Sequence, residues 1–109
     1  MLRYIVRWDI IPTQEPESYV NWIESALKRT LTVPGVTKLA AYRPVAGQSQ
    51  VVVLFSFTDF DSWSDWFNHE DVQGVFNELF DLASNVEREL WEPSPILPEP
   101  IRPVPPEGF

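Results

Sequence analysis

The sequence predicts an α+β fold in which strands and helices follow the order β-α-β-β-α-β. Two observations carry this prediction. A seven-residue apolar run, Val51 to Phe57, continues through Asp59 and Asp61 into an amphipathic helical pattern, which is typical of a buried strand followed by a capped helix. The first half of the chain repeats this order of strand and helix. With 109 residues, the chain has room for one domain with one core.

The first strand and the first helix are predicted within residues 2–31. Residues 2–11 alternate in character, which indicates a strand with one apolar face and one mixed face. The apolar face consists of Leu2, Tyr4, Val6, Trp8 and Ile10. Pro16 fits the first turn of a helix. The apolar stripe of that helix consists of Val20, Ile23, Leu27 and Leu31.

A hairpin and a second helical region are predicted after Pro34 and Gly35, which end the first helix. Residues 36–45 and 51–57 indicate two strands joined by a loop at 46–49. A helical region starts near Asp61, and a break is predicted at 68–71 because Asn and Asp restart helices as caps. Residues 86–91 indicate a final strand. This order is that of the ferredoxin-like plait, a four-stranded antiparallel sheet with both helices on one face.

The third strand is apolar on both of its faces. Val53 and Phe55 lie on one face, and Val52 and Leu54 lie on the other. A strand of this kind is expected to be covered on both sides, whereas a single plait covers only the side that carries the helices. A second copy of the sheet is the simplest cover, so we expect a symmetric homodimer.

The end of the chain is rich in proline. Residues 93–109 contain seven of the eleven prolines, which disfavours helix and central strand and predicts an extended arm. We therefore divide the chain into a domain at 1–92 and an arm at 93–109. Apolar side chains in the arm favour docking on a surface, such as that of the partner subunit, over free solvation. They are Ile96, Leu97, Ile101, Val104 and Phe109.

Composition and charge exclude several classes of protein. The net charge of −8, with the basic residues scattered, argues against binding to nucleic acid and to an anionic membrane surface. The chain has no Cys, so disulfides, thiol nucleophiles and sulfur-bound metals are excluded. The sequence shows no signal peptide and no apolar stretch long enough to span a bilayer, so we expect a cytoplasmic protein.

The arrangement of residues 1–92 resembles the dimeric α/β-barrel superfamily. This group includes the antibiotic-biosynthesis monooxygenase-like and the heme-degrading monooxygenase-like proteins. The resemblance rests on Pro34-Gly35-Val36 before the second strand, on the apolar third strand and on the aromatic segment Trp63–Phe76, whose sequence is WSDWFNHEDVQGVF. It implies the plait fold and dimerisation more directly than it implies an activity, because small plaits carry many functions.

For the heme-degrading members, the resemblance implies an Asn on the first strand, a Trp that ends the third strand and a His on the second helix that binds iron. The approximately matching positions here hold Trp8 (or Arg7), Phe57, and Phe76 or Asn77. None of the three residue types is retained, so the usual axial ligand is missing and heme degradation is disfavoured. Cofactor-independent oxygenation of an electron-rich aromatic substrate stays open, and no cofactor is expected.

Two groups of residues are candidates for a site. His69 is the only histidine, the residue type most often used as a general acid or base, so it is a weak candidate for acid–base catalysis, with a capping or solvated role at the helix break as the alternative. A metal site is not expected. Trp8, Phe57, Trp66 and Phe76 are candidates for binding a flat hydrophobic ligand between sheet and helices, with plain core packing as the alternative.

Two functions follow from these observations. One is a small-molecule-binding homodimer with an apolar pocket in each subunit, which extends to a cofactor-independent monooxygenase-like enzyme acting on an aromatic or polyketide-like substrate. The other is a non-catalytic dimeric domain that binds a hydrophobic ligand or a partner protein through its surface and its proline-rich arm. The sequence does not decide between them.

Overall fold

A computed structural model of the chain describes residues 1–12 and 15–104, and within these ranges four strands form one sheet. The elements are β1 (Leu2–Ile10), α1 (Pro16–Thr32), β2 (Lys38–Tyr42), β3 (Val51–Phe57), α2 (Phe60–Phe67), α3 (Glu70–Leu82) and β4 (Ala83–Trp91). The strand order is β2-β3-β1-β4, and every neighbouring pair is antiparallel. The ferredoxin-like α+β fold predicted from the sequence is confirmed.

The break predicted in the second helical region divides it into α2 and α3. The Asp59 carboxylate caps α2 by accepting a hydrogen bond from the backbone N–H of Ser62 at 2.8 Å. This hydrogen bond lowers the pKa of Asp59 below its ordinary value. His69 caps α3, and its Nδ1 accepts a hydrogen bond from the backbone N–H of Asp71 at 3.1 Å. Because Asp59 and His69 each cap the start of a helix, the single amphipathic pattern forms two helices.

Two strands differ in length from their predictions. β2 ends at Tyr42 rather than at residue 45, consistent with Pro44 having no N–H to offer to a strand ladder. β4 begins at Ala83 rather than at residue 86 because a bulge lets the strand continue. Asn85 lies at this bulge with φ 53°, and its side-chain amide donates a hydrogen bond to Asp9 Oδ2 at 2.9 Å.

Helix α1 is rotated relative to its predicted stripe. Its buried residues are Tyr19, Ala26 and Thr30, whereas Val20 and Leu31 are exposed. The rotation lets the Tyr19 hydroxyl accept a hydrogen bond from Trp8 Nε1 at 3.0 Å. The predicted stripe was therefore wrong at Val20 and Leu31, whereas Ile23 and Leu27 pack against the core as predicted, beside Tyr19 and Ala26.

The main core lies between the sheet and the three helices. Its buried members include Val6, Val53 and Phe55 from the two central strands and Val72 and Leu79 from α3. The face of the sheet that carries no helices, called the open face below, holds the alternate residues of each strand. In the central strands these are Arg3, Ile5, Arg7, Val52, Leu54 and Ser56, and in the outer strands Lys38, Ala40, Tyr42, Glu87, Glu89 and Trp91.

The open face is partly covered by its own side chains. Ile5 is buried, and it lies between Leu54 on β3 and Glu89 on β4. Arg7 crosses the outer strand, with its guanidinium 3.3 Å from Glu89 and over the ring of Trp91. Leu54 is half-buried. The apolar centre of this face is thus bordered by ion pairs within the same chain.

An ion pair joins the two long helices. The Arg29 guanidinium donates two hydrogen bonds to the Glu78 carboxylate, at 2.7 and 2.9 Å, and Trp22 Nε1 donates a third at 3.2 Å. The hydrogen bonds from Arg29, and to a smaller extent that from Trp22, hold the pKa of Glu78 below its ordinary value of 4.5. This contact fixes α1 against α3 on the outer side of the helical layer.

We expect Gly35→Ala to destabilise the fold by about 2–4 kcal/mol. Gly35 has φ +129°, and an added Cβ would lie 3.0 Å from the carbonyl oxygen of Ser62 and 3.3 Å from Trp66 Cβ. The free energy of unfolding in urea measures the effect.

Two glycine variants serve as controls. Gly47→Ala has a similar φ of +114° but an open surrounding, so it should cost about 1–2 kcal/mol from backbone strain alone. Gly74→Ala, in α3 with open space around it, should stabilise by about 0.5–1 kcal/mol. Equal losses for Gly35 and Gly47 would contradict the close approach of α2.

We expect Glu78→Gln to lower stability by about 1 kcal/mol at pH 7, since the pair is bidentate but half-exposed. Because the folded pKa of Glu78 is depressed, its contribution is complete above the ordinary value of 4.5 and is lost as the pH falls through the folded value. Urea unfolding at pH 7 and pH 3 should show the difference from the unmutated chain shrink at the lower pH. Glu24→Gln, an exposed position on α1, is the control, and a pH-independent loss at Glu78 would refute the assignment.

Candidate functional site

The four aromatic residues predicted to bind a ligand lie on the helix side of the sheet and are buried. The ring centroid of Trp66 is 5.0 Å from that of Phe57 and 6.1 Å from that of Phe76. Trp8 lies nearer the other end of the sheet. The structure therefore brings three of the four rings together, and Trp8 belongs to the same core without joining that group.

A small cavity lies between α1, α3 and the sheet. Its volume is about 20 Å³, close to the space that one water molecule occupies. Trp8 and Phe76 line it, together with Trp22 and Leu27, whereas Phe57 and Trp66 do not. In this conformation the space between sheet and helices is filled by side chains.

The polar atoms of the two buried indoles have structural partners. Trp66 Nε1 donates a hydrogen bond to the backbone carbonyl of Thr30 at 2.9 Å, which ties α2 to the end of α1. Trp8 Nε1 donates to the hydroxyl of Tyr19. Burial raises the pKa of Tyr19 above its ordinary value, and the hydrogen bond from Trp8 opposes this rise. Both indoles are thus held in one orientation.

His69 lies at the surface. Its imidazole is half-exposed and is used as the cap of α3, where Nδ1 accepts the hydrogen bond described above. The Asp71 carboxylate is 3.8 Å from the same nitrogen. This geometry corresponds to the capping alternative for His69, away from the buried aromatic side chains.

A group that the sequence reasoning missed surrounds Arg88 on the helix side of β4. The Arg88 guanidinium lies 4.9 Å from the ring centroid of Phe80, 5.8 Å from that of Phe67 and 5.9 Å from that of Phe76. It also lies near buried Tyr4. Burial raises the pKa of Tyr4, and the nearby charge and hydrogen bond of Arg88 oppose this rise.

Arg88 has no carboxylate partner within 4 Å among residues 1–12 and 15–104. The neighbouring aromatic group contains an unsatisfied polar atom, since the buried Nε1 of Trp63 finds no hydrogen-bond partner in the same residues. The Trp63 ring stacks on Phe67 with a centroid distance of 4.9 Å, and it lies 5.6 Å from the ring of Tyr4. The name Arg88 cluster is used below for Tyr4, Trp63, Phe67, Phe76, Phe80 and Arg88.

Strand alternation contains the signal that identifies Arg88. On β4, Val86, Arg88 and Leu90 alternate toward the helices, so the arginine occupies a position where an apolar residue is expected. The Arg88 side chain is exposed, so its stem lies along the aromatic rings while its charge stays in contact with water. The prediction of β4 from residue 86 already contained this pattern.

Residues 1–12 and 15–104 contain no group of three His, Cys, Asp or Glu side chains close enough to share a metal ion. In the same part of the chain, none of the helices combines the length and apolar character needed to cross a bilayer.

Comparison with solved structures shows the same fold in several proteins. A DABB-family protein with a ferredoxin-like fold from Mesorhizobium loti superposes with a TM-score of 0.76 at 14% identity, covering 85% of this chain and 96% of that chain. A dimeric ferredoxin-like protein of unknown function from Thermobifida fusca gives a TM-score of 0.69 at 15% identity, covering 83% and 88%.

A third similar structure belongs to an enzyme. A mutant form of SnoaB, a cofactor-independent oxygenase from Streptomyces nogalater, superposes with a TM-score of 0.70 at 16% identity, covering 90% of this chain and 97% of that chain. No family model matches the sequence, and no curated protein matches it significantly. At these identities the likeness shows the fold, and the resemblance to the dimeric α/β-barrel proteins is confirmed at that level.

Proposed function

We propose that this chain forms a homodimer through its open faces and that each subunit binds a flat, apolar small molecule with an anionic group at the Arg88 cluster. One observation carries the binding proposal. A guanidinium lies against three aromatic rings on the helix side of the sheet, and no carboxylate among the described residues neutralises it.

The chemistry of the cluster defines the ligand class. Arg88 is exposed and offers a planar charge that pairs with a carboxylate or a phenolate, while the neighbouring rings stack on the same guanidinium. The Tyr4 hydroxyl and Trp63 Nε1 add neutral hydrogen-bond donors. The rings of Phe67 and Phe80 supply flat apolar surfaces. A planar aromatic anion matches all of these groups.

The predicted ligand residues take different positions in this proposal. Phe76 forms one wall of the cluster, and Trp66 lies behind it, with its ring 6.2 Å from that of Tyr4. Binding beside Trp8 requires α1 to move outward, because the cavity there holds about 20 Å³. Phe57 is fully buried and packs against Trp66 from the side of the sheet.

The proposal extends to catalysis. SnoaB, a cofactor-independent oxygenase, has a similar fold, so we propose oxygenation of an electron-rich aromatic ligand at the Arg88 cluster. With 1-naphthol, one oxygen atom of O₂ would enter the naphthoquinone product and the other would leave as water. The second candidate is a binding protein without catalysis, which the filled aromatic core favours. Oxygen uptake with 1-naphthol distinguishes the two.

We expect Arg88→Met to weaken binding of the anionic dye 1-anilinonaphthalene-8-sulfonate about three- to fivefold, since an ion pair at an exposed arginine contributes up to about 1 kcal/mol. Binding of the neutral analogue N-phenyl-1-naphthylamine should change less than twofold. Fluorescence titration measures both affinities. Lys28→Met, at an exposed position on α1, is the matched control for loss of a positive charge.

Two outcomes would contradict the site. Equal losses for the anionic and neutral dyes would show that Arg88 acts only through packing. An unchanged affinity for the anionic dye in Arg88→Met would show that the dye binds elsewhere. Circular dichroism confirms that each variant is folded.

We expect Leu54→Glu to convert the protein from dimer to monomer in sedimentation velocity at micromolar concentration. Leu54 lies at the apolar centre of the open face, where two copies would bring like charges together. The dimer itself is supported by the fold likeness to a protein described as dimeric. Val20→Glu, at an exposed apolar position on α1, should leave the dimer unchanged. An unmutated chain that sediments only as a monomer would refute the dimer.

A further inference from the structure

The arm leaves the domain at the margin of the open face. Trp91, the last residue of β4, lies on that face opposite Arg3. From Pro93 to Val104 the chain forms neither helix nor strand. A groove of about 310 Å³ separates the arm from this margin, with Leu97 and Pro98 on one side and Arg3 and Trp91 on the other. The arm and the open face therefore border one continuous surface.

The arm carries apolar side chains that its own subunit does not cover. Ile101 is 75% exposed and Val104 is 85% exposed. Branched aliphatic side chains at such exposure are costly in water, and a proline-rich chain cannot relieve the cost by folding into a helix. Among residues 1–12 and 15–104, nothing packs over this part of the arm.

The sequence of the arm has a periodicity that suits docking. A polyproline II helix repeats every three residues, so each of its three edges carries every third side chain. In that conformation two edges of residues 98–104 are apolar and one is polar. The edges are Pro98, Ile101 and Val104; Pro100 and Pro103; and Glu99 and Arg102. An extended segment with two apolar edges and one charged edge is suited to lie on a surface with the charges outward.

We infer that the arm of each protomer packs across the other protomer of the homodimer, with Ile101 and Val104 against the partner. This inference rests on the proposed dimer. A second copy is the occupant because the arm borders the open face, so a partner on that face also meets the arm. Each protomer thus extends its interface with a segment that its own fold leaves exposed.

The inference is tested on the full chain by sedimentation equilibrium. The double variant Ile101→Ser with Val104→Ser should raise the dimer dissociation constant at least tenfold, because two aliphatic side chains per protomer lose their apolar burial. The matched variant Glu99→Ser with Arg102→Ser changes the polar edge of the same segment and should change the constant less than threefold. Both pairs lie on the exposed arm, so the domain folds in each.

A crosslinking experiment identifies the surface that the arm touches. p-Benzoylphenylalanine replaces Ile101, and equal amounts of ¹⁴N-labelled and ¹⁵N-labelled chains are mixed and irradiated. Crosslinked peptides that join the two isotopes are expected. Two results with a stable dimer would refute the arm contact but not the dimer. One is that crosslinks form only within one chain, and the other is that the Ile101 and Val104 variant has an unchanged dissociation constant. An unmutated chain that stays monomeric would overturn both.

Discussion

The position of the Trp66 indole is the constraint on which the rest of the structure depends. Its ring is fully buried and contacts Phe55 and Phe57 on β3, and its Nε1 donates to the Thr30 carbonyl at the end of α1. One side chain therefore connects the sheet, the short helix α2 and the long helix α1. Gly35 allows α2 to approach because no Cβ separates it from Trp66. A large ring held by a hydrogen bond fixes the distance between layers more strictly than aliphatic packing does.

This fixed layer explains why the candidate site lies at one edge of the fold and not at its centre. Between α1, α3 and the sheet, large rings leave only about 20 Å³. Toward β4 the aromatic layer ends in Phe67 and Phe80. Arg88 lies beside these rings, at a position of β4 that faces the helices. Arg88 is exposed at this edge, so water solvates its charge while the rings contact its guanidinium. The proposed binding site thus lies where apolar packing gives way to solvent.

The sequence predicted the fold well because strand and helix periods, caps and breakers are local signals. The strand Val51–Phe57 and the break before Glu70 are examples, since each depends on side chains that lie within a few residues. The site was harder to predict. Trp66 and Phe76 were recognised as aromatic residues of one layer, but whether that layer is filled or hollow depends on side-chain volumes from five elements. Arg88 was missed because its importance comes from Tyr4 and Phe67, which are distant in sequence.

The two faces of the sheet surround their arginines with different kinds of side chain. On the open face, Arg7 is paired with Glu87 and Glu89 of the adjacent strand, so its charge is neutralised within the chain and borders the apolar centre. On the helix side, Arg88 contacts rings and lies near Tyr4. A protein with a net charge of −8 has many carboxylates available to pair with a cation. Arg88 contacts none of them within the described residues, and its exposed side chain keeps the charge in contact with water. The proposal of an anionic ligand at Arg88 therefore rests on the aromatic rings that surround the guanidinium, more than on the lack of a carboxylate.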